Sequence, residues 1–283
     1  MSNVAEAVSP AHPDKIADRI AGALVDMCYA KNKNPKCAFE VLIGHGRCMI
    51  VGETDTILDI DNVCMITRRI SGIPDMEVFY REVPQDQELA KNQESEIKAG
   101  DNGIFFGSLM PKAHKSAKKL AKILYHKFPY DGKILLDGNK TTVCWSNVES
   151  CRLETMFAKG MKPNINPLGD WTGGVNVDTG VTGRKLACDF YGIGAPLGGG
   201  NMHGKDLSKA DVSVNIVAFL LARKYKADII ASCSIGDSEV EFEWEDDGVV
   251  IVLQRTYGDV VKMAHQYIKK QGGFEKFAEW GLI

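Results

Sequence analysis

The hydrophobic period of the chain changes again and again, and that restricts it to folds in which helices cover sheets. From Ser208 to Lys226, apolar residues recur at Val212, Ile216, Phe219 and Leu220, one face of a helix opened by Ser208. The period then drops to two. Val240, Phe242 and Trp244 alternate with charges up to Asp247-Gly248, and Val249 to Leu253 follows, the signature of a hairpin with a strong turn dipeptide. Tyr257 to Lys270 returns to the helical period. Upstream, Asp14 to Ala30 follows a first-turn proline, Pro13, and carries Ile16, Ile20, Leu24 and Met27 on one face. Cys37 to Gly52 reads as two strands around Gly44-His45-Gly46. Thr56 to Ile70 and Lys112 to Lys127 are further helices, the lysines of the second forming a solvated face. Hairpins mixed with long helices give an α+β fold of mixed sheets, each covered by helices on one face, and the pattern recurs about three times along the chain.

A chain of 283 residues with 34 Lys+Arg against 37 Asp+Glu has a net charge of −3, which argues against a general nucleic-acid binder held by phosphate neutralisation and leaves room for a local cluster that takes a polyanionic small molecule. No apolar run approaches the roughly 20 residues of a membrane span, and Met1 to Ala7 lacks the basic start and apolar stretch of a signal peptide, so a cytoplasmic location is expected. The 8 cysteines form no C-x-x-C pair and the 6 histidines have no zinc-finger spacing. The cysteines read as reduced thiols, mostly buried.

Chemistry concentrates between Asn166 and Asp211, where glycines alternate with Arg184, Lys185, Lys205 and Lys209. Glycine lets backbone N–H groups approach anionic oxygens and the cations supply charge, a combination suited to phosphate, although glycine turns flanked by surface cations have the same composition. Gly199 to Lys205 has P-loop spacing, but Asp206 stands where that loop needs Ser or Thr. Asp178, Asp206 and Asp211 add the acids that a metal with a polyphosphate requires. His12-Pro13-Asp14-Lys15 places an imidazole, a carboxylate and an ammonium at a helix start.

Together, His12-Pro13-Asp14-Lys15, Gly52-Glu53, Ala99-Gly100-Asp101-Asn102-Gly103, Gly180-Val181-Thr182-Gly183-Arg184-Lys185, Gly198-Gly199-Gly200, Gly204-Lys205-Asp206 and Lys209-Ala210-Asp211 resemble the signature segments of S-adenosylmethionine synthetase, in the same order. The resemblance implies three small interleaved βαβ-type subdomains in a pseudo-threefold arrangement: a central one over 13–84, an N-terminal one over 1–12 plus 130–171, and a C-terminal one over 102–128 plus 172–283. Residues 85–101 would form the active-site loop. It implies formation of S-adenosylmethionine from ATP and methionine, by sulfur attack on C5′, followed by hydrolysis of the bound tripolyphosphate. A thioether is already a neutral nucleophile, so such a reaction needs charge on the leaving group rather than a nucleophile triad.

By the same resemblance Asp14 and Asp211 coordinate magnesium, two ions per site, and Glu40 binds potassium. His12, Lys15, Lys140, Arg184, Lys185, Lys205 and Lys209 grip the polyphosphate, with His12 nearest the leaving oxygen. Glu53, Gln85 (with Gln87 as the alternative) and Asp101 hold methionine, Asp178 contacts the ribose, Trp171 stacks on adenine and Ile235 packs near the substrates. Family members share each site across a twofold homodimer, which is expected here, without nucleic-acid or membrane partners. The chain departs from the pattern at Ala11 and Pro10, at Asp170 where the family has an arginine, and in its shortening around the active-site loop. Two rival readings follow from the departures: an inactive nucleotide-binding subunit, and a methionine-independent tripolyphosphatase. Retention of His12, Asp14 and Lys205 argues against the first, and retention of Glu53 and Asp101 against the second.

Overall fold

The computed structural model describes residues 4–86, 96–190 and 200–282. The chain opens with β1 (Val4–Val8) and α1 (Pro13–Lys31). His12 caps α1: its backbone is extended and its Nδ1 accepts the Asp14 N–H at 3.2 Å, while Pro13 has no N–H to leave unpaired. Ile16, Ile20 and Leu24 are buried, as their spacing requires. β2 (Cys37–Gly44) and β3 (Arg47–Thr54) form the expected hairpin, with His45 and Gly46 both at positive φ in the turn. α2 (Ile60–Ser71) starts later than Thr56 because Asp59 takes the capping position and accepts the Asp61 N–H at 3.1 Å.

β4 (Glu77–Val83) returns parallel to β3, so β3, α2 and β4 make a βαβ unit. β5 (Gly103–Gly107), α3 (Lys112–Lys127), β6 (Gly132–Asp137), β7 (Lys140–Trp145) and a short α4 (Ser150–Glu154) follow. Next come β8 (Asn164–Ile165), β9 (Thr179–Val181), α5 (Leu186–Asp189) and α6 (Ala210–Tyr225). The chain closes with β10 (Ile229–Cys233), β11 (Glu239–Asp246), β12 (Val249–Thr256), α7 (Tyr257–Gln271) and α8 (Phe274–Trp280). Asp247 and Gly248, at φ 48° and 78°, turn the β11–β12 hairpin at the predicted place.

The strands form three four-stranded sheets, ordered β1-β6-β7-β8, β4-β3-β2-β9 and β12-β11-β10-β5. Each packs one face on helices: the first on α3, through Ala117, Ala121 and Leu124 against Ile134, Val143 and Trp145; the second on α1; the third on α6, which in turn packs on α7. α8 lies along α1, with the Phe274 and Glu275 N–H groups bonded to Asp26. The α+β architecture of three helix-backed units is therefore the one the sequence implies.

Two segments sit elsewhere than expected. α3 covers the first sheet rather than joining the C-terminal unit, because its apolar stripe fits the inner residues of β1 and β6. β9 completes the second sheet, pairing antiparallel with β2 from Leu42 to Gly44. Nor is the α3 lysine face wholly solvated. Lys118 is buried and donates to the carbonyls of Trp280 (2.7 Å) and Leu282 (2.9 Å), and burial pushes its ammonium down to about 7. Ser208 does not cap α6; its N–H is taken by Asp206 Oδ1 at 2.7 Å, and the cap position falls on Lys209. All 8 cysteines are free, and Cys28, Cys37, Cys48, Cys188 and Cys233 are buried. Among the described residues no helix is long and apolar enough to cross a membrane.

The outer face of the second sheet carries an open apolar patch. Leu42, Met49, Val51 and Phe79 are 48%, 52%, 51% and 48% exposed on adjacent strands, with Glu40, Glu53, Arg47 and Glu77 on the same face around them.

Candidate functional site

The charged groups gather in two sets at opposite ends of β2. The first set lies where β9 meets the start of α1 and the start of β6. Asp14 is buried; its Oδ1 accepts the Val181 N–H at 2.9 Å and its Oδ2 is bonded by Lys185, with Arg184 3.8 Å away. Burial works against its charge, yet the Lys185 hydrogen bond, the Val181 N–H and the charge of Lys185 itself hold the carboxyl below its ordinary range. Gly180 makes this approach possible, since a Cβ there would overlap the Pro13 backbone. Asp178 lies beside them, and its charge acts on His12.

Because Nδ1 of His12 accepts a backbone N–H, the neutral ring carries its hydrogen on Nε2. Burial, and then the charge of Lys185, push the imidazole down to about 4. A base whose folded value lies below its ordinary 6.5 stabilises the fold while neutral, so this contribution is complete above pH 6.5 and is lost as pH falls through about 4. The His12 ring resonances should accordingly titrate near pH 4; a midpoint at 6.5 would contradict this environment.

The second set lines a cavity of about 440 Å³ formed by Glu40, Asp101 to Phe106, Gly200, Asn201, Lys205, Asp211 and Asn215. Lys205 donates to Asp211 Oδ2 at 2.6 Å. Burial still outweighs that ion pair and raises the Asp211 carboxyl, with Asp101 adding like charge. Gly200 lies so close that a Cβ on it would overlap the Asp211 carboxylate. Ile235 is held at the rim by its N–H to Asn102 Oδ1, 2.7 Å. Ala38 of β2 pairs with Glu53 on one side and bridges to Lys205 on the other, which puts Glu53 in the Lys205 row. Glu40 accepts from the Thr182 hydroxyl, joining β2 to the Arg184-Lys185 turn.

Several expected roles are not realised. Lys15 is fully buried, with both Asp189 carboxylate oxygens 2.6 Å from its ammonium, and so does not reach a phosphate. Lys140 lies at the far end of the β6–β7 hairpin, opposite Asp137 and exposed. Beside Lys185, a second cation acts on His12: Lys133, the register partner of Val8, whose ammonium also pairs with Glu6 at 3.3 Å. Its neighbour Asp131 is a buried carboxylate that accepts the Gly174 N–H at 3.3 Å, and burial pushes it up to about 6. The sequence signal was Asp131-Gly132-Lys133, an acid, a glycine and a cation at the head of a strand. Lys209 packs behind Asp206, 3.7 Å from its Oδ2, and does not line the cavity. Asp206 is an anchor: its Oδ2 accepts the Cys37 N–H at 2.8 Å and its own N–H bonds back to Cys37 O.

Trp171 presents a ring that is 39% exposed, steadied by Nε1–H donation to Asn166 Oδ1. Asp170 beside it accepts both N–H and hydroxyl of Ser150 at the start of α4, so its charge is engaged locally. Gln85 follows β4, with Oε1 buried and without a partner; Gln87, Gly198 and Gly199 lie outside the described residues.

The model of the S-adenosylmethionine synthetase N-terminal domain matches residues 1–82, and that of the S-adenosylmethionine synthetase C-terminal domain matches residues 172–240. The S-adenosylmethionine synthase of Tropheryma whipplei (strain Twist) is 30% identical over 292 residues, covering 77% of this chain and 74% of that one. That of Helicobacter pylori (strain J99) is 29% identical over 279 residues, covering 78% and 72%. Among solved structures, an unusual S-adenosylmethionine synthetase from Campylobacter jejuni shares the fold with a TM-score of 0.76, at 21% identity over 99% of this chain and 94% of that one.

Proposed function

The chain belongs to the S-adenosylmethionine synthetase family, and from that premise we propose that it is a methionine adenosyltransferase that joins ATP and L-methionine and then hydrolyses the tripolyphosphate it has displaced. The observation that carries the reading is the division of the charged groups into two sets, each holding one carboxylate already paired with one lysine: Asp14 with Lys185, and Asp211 with Lys205. Lys185 and Lys205 would meet the phosphate oxygens while Asp14 and Asp211 would hold the metal, so that no buried charge would be left alone.

The donor set fits magnesium, a hard cation that takes carboxylate oxygens, with Asp14 and Asp211 as its holders. Bound there, magnesium supplies positive charge to the leaving triphosphate. Glu40, whose carboxylate lines the cavity, fits potassium. His12 offers its Nε2–H to the oxygen that leaves C5′, while Lys133, Arg184, Lys185 and Lys205 neutralise the charge that grows on the phosphates. Glu53, Gln85, Asp101 and Ile235 hold methionine in line, Asp178 the ribose and Trp171 the adenine. The same grip serves hydrolysis of the tripolyphosphate.

A homodimer completes the site. A twofold axis lying across the open face of the second sheet, between the two sets, brings the first set of one chain opposite the second set of its partner and covers Leu42, Met49, Val51 and Phe79. Met49→Asp is expected to give a monomer by sedimentation velocity and to lose S-adenosylmethionine formation; an active monomer would contradict the shared site.

The decisive experiment incubates the protein with ATP, magnesium and potassium, with and without methionine, and follows S-adenosylmethionine and phosphate by chromatography. Methionine-dependent S-adenosylmethionine with pyrophosphate and phosphate is the expected result. Phosphate alone would establish the hydrolase, and no product the binding subunit.

A further inference from the structure

The three segments that bear the site's charges converge on one buried group of four side chains, outside both sets. Lys15 and Asp18 come from α1, just after His12 and Asp14. Asp189 ends α5, and His203 precedes Lys205. Their exposures are 0%, 0%, 2% and 2%, so all four are sealed from water. Lys15 Nζ lies 2.6 Å from both Asp189 oxygens and 3.3 Å from Asp18 Oδ2. His203 Nε2 lies 2.8 Å from Asp189 Oδ2. Asp18 Oδ1 accepts the N–H of Gly183, the residue before Arg184 and Lys185, at 2.8 Å. Burial opposes the charge on Asp189, but Lys15 and His203 hold it well below the ordinary range, so the carboxylate is an acceptor and the hydrogen of that contact sits on His203 Nε2.

Asp18, Asp189 and His203 also present ligand atoms within 4.8 Å of one another, as a metal site would. The Lys15 ammonium fills that position, and its hydrogen bonds to Asp189 make it the cation of the group.

We infer that Lys15, Asp18, Asp189 and His203 form a positioning device that sets the spacing between Asp14, the Arg184-Lys185 turn and Lys205, with His203 the positioning residue that fastens the Lys205 segment, through Asp189, to Lys15 of α1. This rests on the reading of the site as a methionine adenosyltransferase and deepens it. Each link is short and buried, so an error at His203 passes directly to Lys205, two residues on. A shift of about 1 Å in a group that meets developing charge lowers turnover on the order of 100-fold. Ground-state binding of ATP, spread over many contacts, changes much less.

The test compares His203→Leu, which removes the donor, with His203→Gln, whose side-chain amide restores an N–H to Asp189. Both are assayed for S-adenosylmethionine formation well below their measured Tm. His203→Leu is expected to lower kcat about 100-fold with the KM for ATP changed less than about threefold, and His203→Gln to recover to within about tenfold of the parent. If His203→Leu does not fold, His203→Asn, one methylene shorter and out of reach of Asp189, replaces it against His203→Gln. Parental kcat in the donorless variant overturns the inference. So does equal loss in both variants, the mark of a role that is only structural. An inactive parent protein overturns the functional reading and the inference together, whereas an active parent with unaffected variants overturns the inference alone.

Discussion

Lys205→Ala is expected to lower the turnover of S-adenosylmethionine formation by about 100- to 1,000-fold, the usual loss when one preorganised donor to developing charge is removed. Lys205 lines the cavity and already carries a carboxylate, Asp211, at 2.6 Å. Charge grows on the leaving triphosphate only as the C5′–oxygen bond breaks, so the missing ammonium is felt in the transition state more than in methionine binding. The methionine KM should move less than about threefold. Steady-state kinetics at saturating ATP decide it: parental turnover would remove Lys205 from the chemistry, and a loss confined to the methionine KM would place it at the amino acid instead.

Lys15→Met has a different expected outcome, because Lys15 holds the protein together. Removing its ammonium leaves Asp189 and Asp18 as buried carboxylates without their cation, and breaking one side of such a pair destabilises by about 3–5 kcal/mol. Urea unfolding measures this directly. A lysine whose only task is to bind polyphosphate would behave differently, since its loss leaves stability unchanged or raises it while activity falls. An unaltered unfolding midpoint in Lys15→Met would therefore return Lys15 to the phosphate site and dismantle the buried group built on it.

Much of this architecture can be read from periodicity. The α1 stripe and the β11–β12 hairpin follow from apolar spacing and from Asp247-Gly248, since those signals are local. What escapes is information carried by distant partners. Nothing near Lys15 in sequence betrays Asp189, 174 positions away, and at a helix start beside His12 and Asp14 a lysine reads as a ligand. β9 has only 3 residues, too few for a period, so its place in the second sheet depends on β2. Lys133 and Lys140 belong to opposite ends of one hairpin. Only the pairing of β6 with β1, which sets Lys133 beside Val8 near His12, decides which lysine acts on His12. The acidic positions Asp206 and Asp170 show the same limit, since each proves to bind backbone N–H groups of a neighbouring segment.

The ion pairs Lys185–Asp14 and Lys205–Asp211 also fix how the ligands of this site influence one another. While a lysine is bound to its carboxylate, it competes with any divalent ion for that carboxylate, and the carboxylate competes with any phosphate for the lysine. Each ligand on binding frees the group the other needs. The two affinities are therefore thermodynamically linked, and by reciprocity the factor by which polyphosphate tightens the metal equals the factor by which the metal tightens polyphosphate. Under the proposed function, saturation by the nucleotide is expected to rise and fall with the supply of free divalent ion.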